Sequence, residues 1–176
     1  MELPYSSKWQ RMLEMYYDAP TAKKLILKAQ LYYKQFRAQH TIEKSRNNRT
    51  NLNARILPGL SIYTALISEN DNQEKVLGEV ETLFRGVFFT AVLPGIRLLN
   101  FLPNPFPIIR PILKMMTANE YMPGSQEIID DNTDCFAVNI YRCFIFDTLT
   151  AHNAQELTPL YCKTDDWLAE ALPKIS

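Results

Sequence analysis

The segment Cys135-Phe-Ala-Val-Asn-Ile-Tyr-Arg is the best strand candidate in this chain. It alternates, with Phe136, Val138 and Ile140 on one side. The first two thirds instead space their apolar residues at three- and four-residue steps, the period of a helix. That division predicts an α+β fold: a mainly helical N-terminal two thirds packed on a small antiparallel sheet, followed by two C-terminal helices.

Along the helical part, Trp9, Met12, Leu13, Tyr16 and Tyr17 recur at helical spacing, and Pro20 is expected to end that segment. Thr21 is placed to cap the next helix, which carries Leu25, Ala29, Tyr32, Tyr33 and Phe36 on one face. After a polar run, Ile56, Leu60, Tyr63 and Ile67 step by four, three and four residues, the pattern of an amphipathic helix. Asp71 or Asn72 is read as the N-cap of a further helix bearing Val76, Val80, Leu83, Phe84 and Val87. Pro94-Gly95 is expected to kink or end it. A short helix from about Ile108 to Met116 is expected among the prolines that follow.

The pattern changes after Pro123-Gly124. Gln126 to Asp130 is expected to pair with the Cys135 strand as a hairpin across Asp131-Asn-Thr, a turn-forming set. Two helices follow from Cys143. The first is expected to end near Asn153, which tolerates the left-handed conformation. The second should start at Thr158-Pro159, with Thr158 as N-cap.

Length and composition place these elements in one domain spanning 1–176. Hydrophobic residues make up 47 % and charged residues 22 %, an ordinary globular balance. Nineteen basic side chains face nineteen acidic ones, so charge gives no reason to expect nucleic acid. Cys135, Cys143 and Cys162 are too few for a disulfide framework, and reduced thiols in the cytoplasm are the simplest account. The start lacks the pattern of a secretory signal. The apolar run Gly86 to Ile96, bounded by Arg85 and Arg97, falls well short of the ~20 residues of a spanning helix. Core burial is the favoured reading of it. Shallow membrane attachment through Phe88, Phe89, Leu98, Leu99, Phe101 and Phe106 is the lesser alternative.

Candidate chemistry gathers near the end. Cys143 and Asp147 lie four apart on the first C-terminal helix and share a face. Cys162 repeats the arrangement with Asp165 and Asp166. If the two helices pack side by side, thiols and carboxylates converge on one pocket. Spacing alone favours a plainer account, in which free cysteines are small buried hydrophobes and the aspartates are solvated. Arg142, at the strand exit, suits a substrate carboxylate, and a structural salt bridge explains it equally well. His40 and His152 are isolated and read as surface or cap residues. No zinc spacing, Gly-rich phosphate loop or nucleophile elbow is present, so neither metal nor cofactor is expected.

The stretch Ile140-Tyr-Arg-Cys-Phe-Ile-Phe-Asp through Glu156-Leu to Cys162-Lys-Thr-Asp-Asp resembles the signature of the L-2-amino-thiazoline-4-carboxylic acid hydrolase family. That signature runs from a strand into Arg-Cys, an acidic residue one turn on, Glu-Leu, then Cys-x-x-Asp. Arg142, Cys143, Asp147, Glu156, Leu157, Cys162 and Asp165 match it, and Asn153 stands where the family usually has glycine. Upstream, Arg55-Ile-Leu-Pro-Gly-Leu-Ser-Ile-Tyr-Thr-Ala-Leu and Glu74 also fit. Family members continue with a strand bearing an Arg-Thr-like element, a Gly turn and a Cys-Asp-Phe ending. The resemblance therefore reads this chain as shortened at its C-terminus, with the edge of the Cys135 strand exposed.

The resemblance implies hydrolytic opening of a cyclic amidine carbon–nitrogen bond, as in 2-amino-thiazoline-4-carboxylate. Cys143, Asp147, Cys162 and Asp165 would be catalytic, with Arg142 and Glu156 binding a small-molecule substrate. Two routes stay open: covalent attack by a thiolate, or water activated by a carboxylate, the latter slightly favoured. The alternative is a non-catalytic relative that binds a small molecule or a partner.

Overall fold

A computed structural model describes residues 2–40, 46–90, 92–120 and 125–174. The chain divides into two compact units, Met1–Ala91 and Val92–Ser176. The architecture is α+β: helices in both units, and one two-stranded antiparallel sheet in the second. The expected break at Pro123-Gly124 lies outside the described residues.

In the first unit, α1 (Ser6–Leu13) buries Trp9 and Leu13. The segment ends there rather than at Pro20. Asp18, not Thr21, caps α2 (Ala19–Gln39): its carboxylate accepts the Thr21 N–H at 2.9 Å, and Pro20 lies in the first helical turn. Proline is tolerated there because a first-turn N–H has no partner to lose. α2 buries Ala22, Leu25, Ile26, Ala29 and Tyr33 and packs on α4 (Leu57–Ile67), which follows α3 (Arg46–Asn51) and a π-helical turn at Leu52–Ile56.

The expected amphipathic helix is something else. From Leu57 to Leu66 only Thr64 escapes burial, so α4 is a central helix with no solvated face. Its polar residues are accommodated because the hydroxyls of Ser61 and Thr64 donate to the carbonyls of Leu57 and Leu60, at 2.6 and 2.8 Å. Asn72 caps α5 (Gln73–Phe84) as expected, accepting the Lys75 N–H at 3.0 Å. Val76, Val80, Leu83, Phe84 and Val87 are all buried, the last in a π-helical turn at Arg85–Phe89. At Gly86 an added Cβ would fall on the end of the Met12 side chain, a flexible thioether that would have to shift to make room.

The second unit opens with α6 (Leu93–Leu98). Pro94 lies in its first turn, so it starts a helix where a kink or stop was expected. A 3-10 turn at Leu99–Phe101 follows, then α7 (Phe106–Glu120), longer than expected and with Pro111 inside it. β1 (Gln126–Asp131) pairs antiparallel with β2 (Phe136–Ile140). Gln126 stands opposite Ile140 and Ile128 opposite Val138. The register then shifts, so that Asp130 meets Ala137 and Asp131 meets Phe136, with Ile129 left over as a bulge. Asp131 ties the hairpin to α7. Its carboxylate takes Arg110 at 2.6 Å and Lys114 at 2.5 Å. Those hydrogen bonds, Arg110's first, hold its carboxyl below the usual carboxylate range.

α8 (Phe144–Ala151) buries Phe144, Thr148 and Leu149 and touches α9 (Thr158–Ala171). Between them runs a 3-10 turn at Gln155–Leu157. Leu157, not Thr158, is the N-cap of α9; Thr158 is its first helical residue, and its buried hydroxyl has no hydrogen-bond partner among the described residues. The preceding 3-10 turn advances the cap by one position. Asn153 does take the left-handed conformation (φ 53°), and the Ala154 N–H reaches back to the Leu149 carbonyl at 2.9 Å. Asn153→Ala is expected to cost about 1 kcal/mol and Asn153→Gly nothing, because only the β-carbon opposes that conformation. Urea unfolding midpoints of the two variants give the comparison; an equal loss in both would reject the backbone explanation.

Candidate functional site

β2 delivers the candidate residues to the surface of the second unit. At its exit the Tyr141 and Arg142 N–H groups both donate to the carbonyl of Ser125, at 2.7 and 3.3 Å, which fixes the direction of the chain. The Tyr141 hydroxyl donates to the Glu127 carboxylate across the hairpin, and that bond raises its pKa. The next residue, Arg142, turns its guanidinium onto α8: Nε donates to Asp147 Oδ2 at 2.6 Å.

Cys143 is the N-cap of α8, in extended conformation (φ −109°, ψ 116°). Its carbonyl accepts the Asp147 N–H at 3.0 Å, while its thiol makes no cap bond. Asp147 therefore lies in the first turn of α8, where exposed N–H groups and the helix dipole favour a negative charge. The residue that meets Asp147 is Arg142, five positions back, rather than the face-sharing Cys143. The pair is partly solvated, with side chains 63 % and 35 % exposed, so as a stabilising bridge it contributes at most about 1 kcal/mol. The geometry joins one candidate carboxylate to one candidate carboxylate-binder.

The remaining candidates lie on the segments that follow α8. Glu156 is half-buried in the 3-10 turn before α9. Cys162, Asp165 and Asp166 are exposed on α9. Cys143 is half-buried and Cys135 exposed, so none of the three thiols is the buried hydrophobe that spacing alone favours. His40 and His152 occupy the C-cap positions of α2 and α8. Among the described residues no three His, Cys, Asp or Glu side chains converge as a metal site would require.

Two features escaped the sequence reading. A cleft of about 320 Å³ is lined by Pro107, Arg110, Pro111, Lys114 and Thr133. Its two cations are one helical turn apart, a signal the sequence did contain. In the first unit the Tyr17 hydroxyl donates to Glu79 Oε2 at 2.6 Å, and Glu79 is buried. Those residues are 62 positions apart, and nothing local marks them as partners.

Comparison with known proteins falls on the second unit. The family model described as L-2-amino-thiazoline-4-carboxylic acid hydrolase matches residues 97–174, a span that holds Arg142, Cys143, Asp147, Glu156, Cys162 and Asp165. No curated protein and no solved structure matches the chain.

Proposed function

We propose, from the match of residues 97–174 to the L-2-amino-thiazoline-4-carboxylic acid hydrolase family model, that this chain hydrolyses a cyclic amidine carbon–nitrogen bond in a small carboxylate substrate. The observation that carries the reading is the Arg142–Asp147 pair, set between β2 and α8 inside the matched span. A substrate carboxylate competes with Asp147 for the Arg142 guanidinium, a bidentate match in geometry and charge. Binding would thus hold the substrate and release Asp147 together.

The freed carboxylate takes a proton from water, whose oxygen attacks the amidine carbon of 2-amino-thiazoline-4-carboxylate. The carbon–nitrogen ring bond then breaks, the ring nitrogen takes up both protons of the water, and the oxygen becomes the carbonyl of an S-carbamoyl-cysteine. Glu156 suits the amino group of the substrate. Cys143, Cys162 and Asp165 complete the candidate set, with Cys143 or Cys162 as nucleophile in the covalent alternative. A second reading, a non-catalytic binding relative, is favoured by the exposure of Cys162 and Asp165, which leaves them in water rather than in a closed site.

The test is turnover of L-2-amino-thiazoline-4-carboxylate by the purified chain. Asp147→Asn is expected to lower kcat by about a hundredfold or more, the scale of a lost general base. Arg142→Gln should act chiefly on KM, and Cys143→Ser, Cys162→Ser and Asp165→Asn sort the two routes. Binding without turnover in calorimetry selects the second reading; neither binding nor turnover by folded protein rejects both.

A further inference from the structure

The turn at Leu99–Phe101 is held from behind. Asn100 Nδ2 donates to the carbonyl of Ala171 at the end of α9, at 2.8 Å. Lys174 Nζ donates to the carbonyls of Asn100 and Leu102, at 2.7 and 2.9 Å, one on either side of Phe101. The backbone is thus fixed while the side chains face out: Phe101 is 84 % exposed and Leu98 66 %. Single exposed apolar residues need no explanation, but two on an anchored turn present an apolar tip.

Charge says what that tip meets. From Thr82 to Asn119 the sequence has no Asp or Glu, yet it carries Arg85, Arg97, Arg110 and Lys114. In a chain whose acids and bases are equal in number, this is a local basic excess. Arg110 and Lys114 are taken up by Asp131. Arg97, next to Leu98, is exposed, and Lys174 places its ammonium on two neutral carbonyls; among the described residues neither has a carboxylate within ion-pair distance. The acid nearest Lys174 in sequence is Glu170, one turn back on α9. An apolar tip collared by cations complements an anionic bilayer surface, whose acyl boundary takes the former and whose phosphates take the latter. No single helix in the described chain is long and apolar enough to cross a membrane.

We propose that the Leu98–Phe101 turn is an interfacial anchor for an anionic phospholipid surface, with Phe101 and Leu98 inserted and Arg97 and Lys174 at the level of the phosphates. The experiment is co-sedimentation of the full chain with vesicles of phosphatidylcholine alone and of phosphatidylcholine mixed with phosphatidylglycerol. The chain should sediment with the mixed vesicles, less so as salt rises. Phe101→Ala should weaken this about tenfold or more, and Arg97→Gln about fivefold. Both side chains are exposed, so both variants should keep the wild-type thermal transition. Equal sedimentation with neutral and mixed vesicles, none with either, or indifference to Phe101→Ala overturns the proposal. So does a wild-type dimer, formed without vesicles, that Phe101→Ala dissociates: the tip would then be a protein contact.

Discussion

Trp9→Ala is expected to lower the unfolding free energy by about 3–5 kcal/mol, the cost of deleting a large aromatic from a packed core. Trp9 is fully buried. Its ring stands edge-on to Phe84 at 5.9 Å and 63°, and to Phe88 at 5.3 Å and 82°. Those two rings meet each other at 5.6 Å and 84°, so the substitution removes the middle of a mutually supporting cluster. The indole N–H also donates to the Pro4 carbonyl at 3.1 Å, which closes the N-terminal turn over the cluster. Trp9→Phe should recover most of the loss, since it keeps a ring and forfeits mainly that hydrogen bond. Urea unfolding followed by helical circular dichroism measures both variants. A loss under about 1 kcal/mol for alanine would mean that the cluster collapses into the gap, contrary to its fixed edge-to-face geometry.

Tyr17→Phe is expected to cost roughly 1.5–3 kcal/mol, the range for a hydrogen bond to a charged acceptor. Among the described residues the buried Glu79 carboxylate then keeps only Lys75, at 3.9 Å and largely exposed, and a buried charge left so weakly paired places the cost toward the upper end. The same pair makes stability sensitive to alkali. Burial, then the hydrogen bond to Glu79, then its charge push the Tyr17 phenol well above its ordinary 10.0. A group whose pKa is raised by folding contributes fully below its unfolded value and loses that contribution as pH climbs beyond it. Wild-type stability should therefore fall from about pH 10 upward, more steeply than that of Tyr17→Phe. Parallel slopes for the two proteins would contradict the pairing.

What the sequence disclosed divides along the reach of each interaction. The hairpin was legible because alternation and turn-forming residues are local signals, although Asp131, expected in the turn, is the last residue of β1 and the turn runs from Asn132 to Cys135. The Asn72 cap and the left-handed Asn153 were legible for the same reason. Pro20 and Pro94 were misread in one way: the first was taken as a stop and the second as a kink or a stop, and each lies in the first turn of the next helix, where its missing N–H costs nothing. The burial of α4 on nearly every side was hidden because periodic apolar residues look alike whether the intervening positions meet water or α2. At the candidate site, the sequence placed Cys143 with Asp147 and Cys162 with Asp165, one pair on each helix. How far those helices turn toward each other depends on how their buried residues, Phe144 and Leu149 on one and Leu160 and Trp167 on the other, are packed, which helical spacing does not disclose. The partner of Asp147 accordingly came from the segment just past the end of β2.

The leftover residue at Ile129 has a consequence for the whole hairpin. Counted along an unbroken strand, Asp131 has the parity of Glu127 and would point with it. One supernumerary residue reverses that parity from Asp130 onward, so Asp131 emerges on the side of Phe136, Val138 and Ile140 and meets Arg110 and Lys114. The coupling of α7 to the hairpin thus rests on an odd–even count rather than on the identity of Ile129. Drawing Ile129 into the ladder, so that Asp131 slips to stand opposite Cys135, would send the carboxylate to the far side and leave two cations over an apolar face, whereas excising it would close the bulge and keep Asp131 opposite Phe136. Conservative replacement of Ile129 would alter nothing.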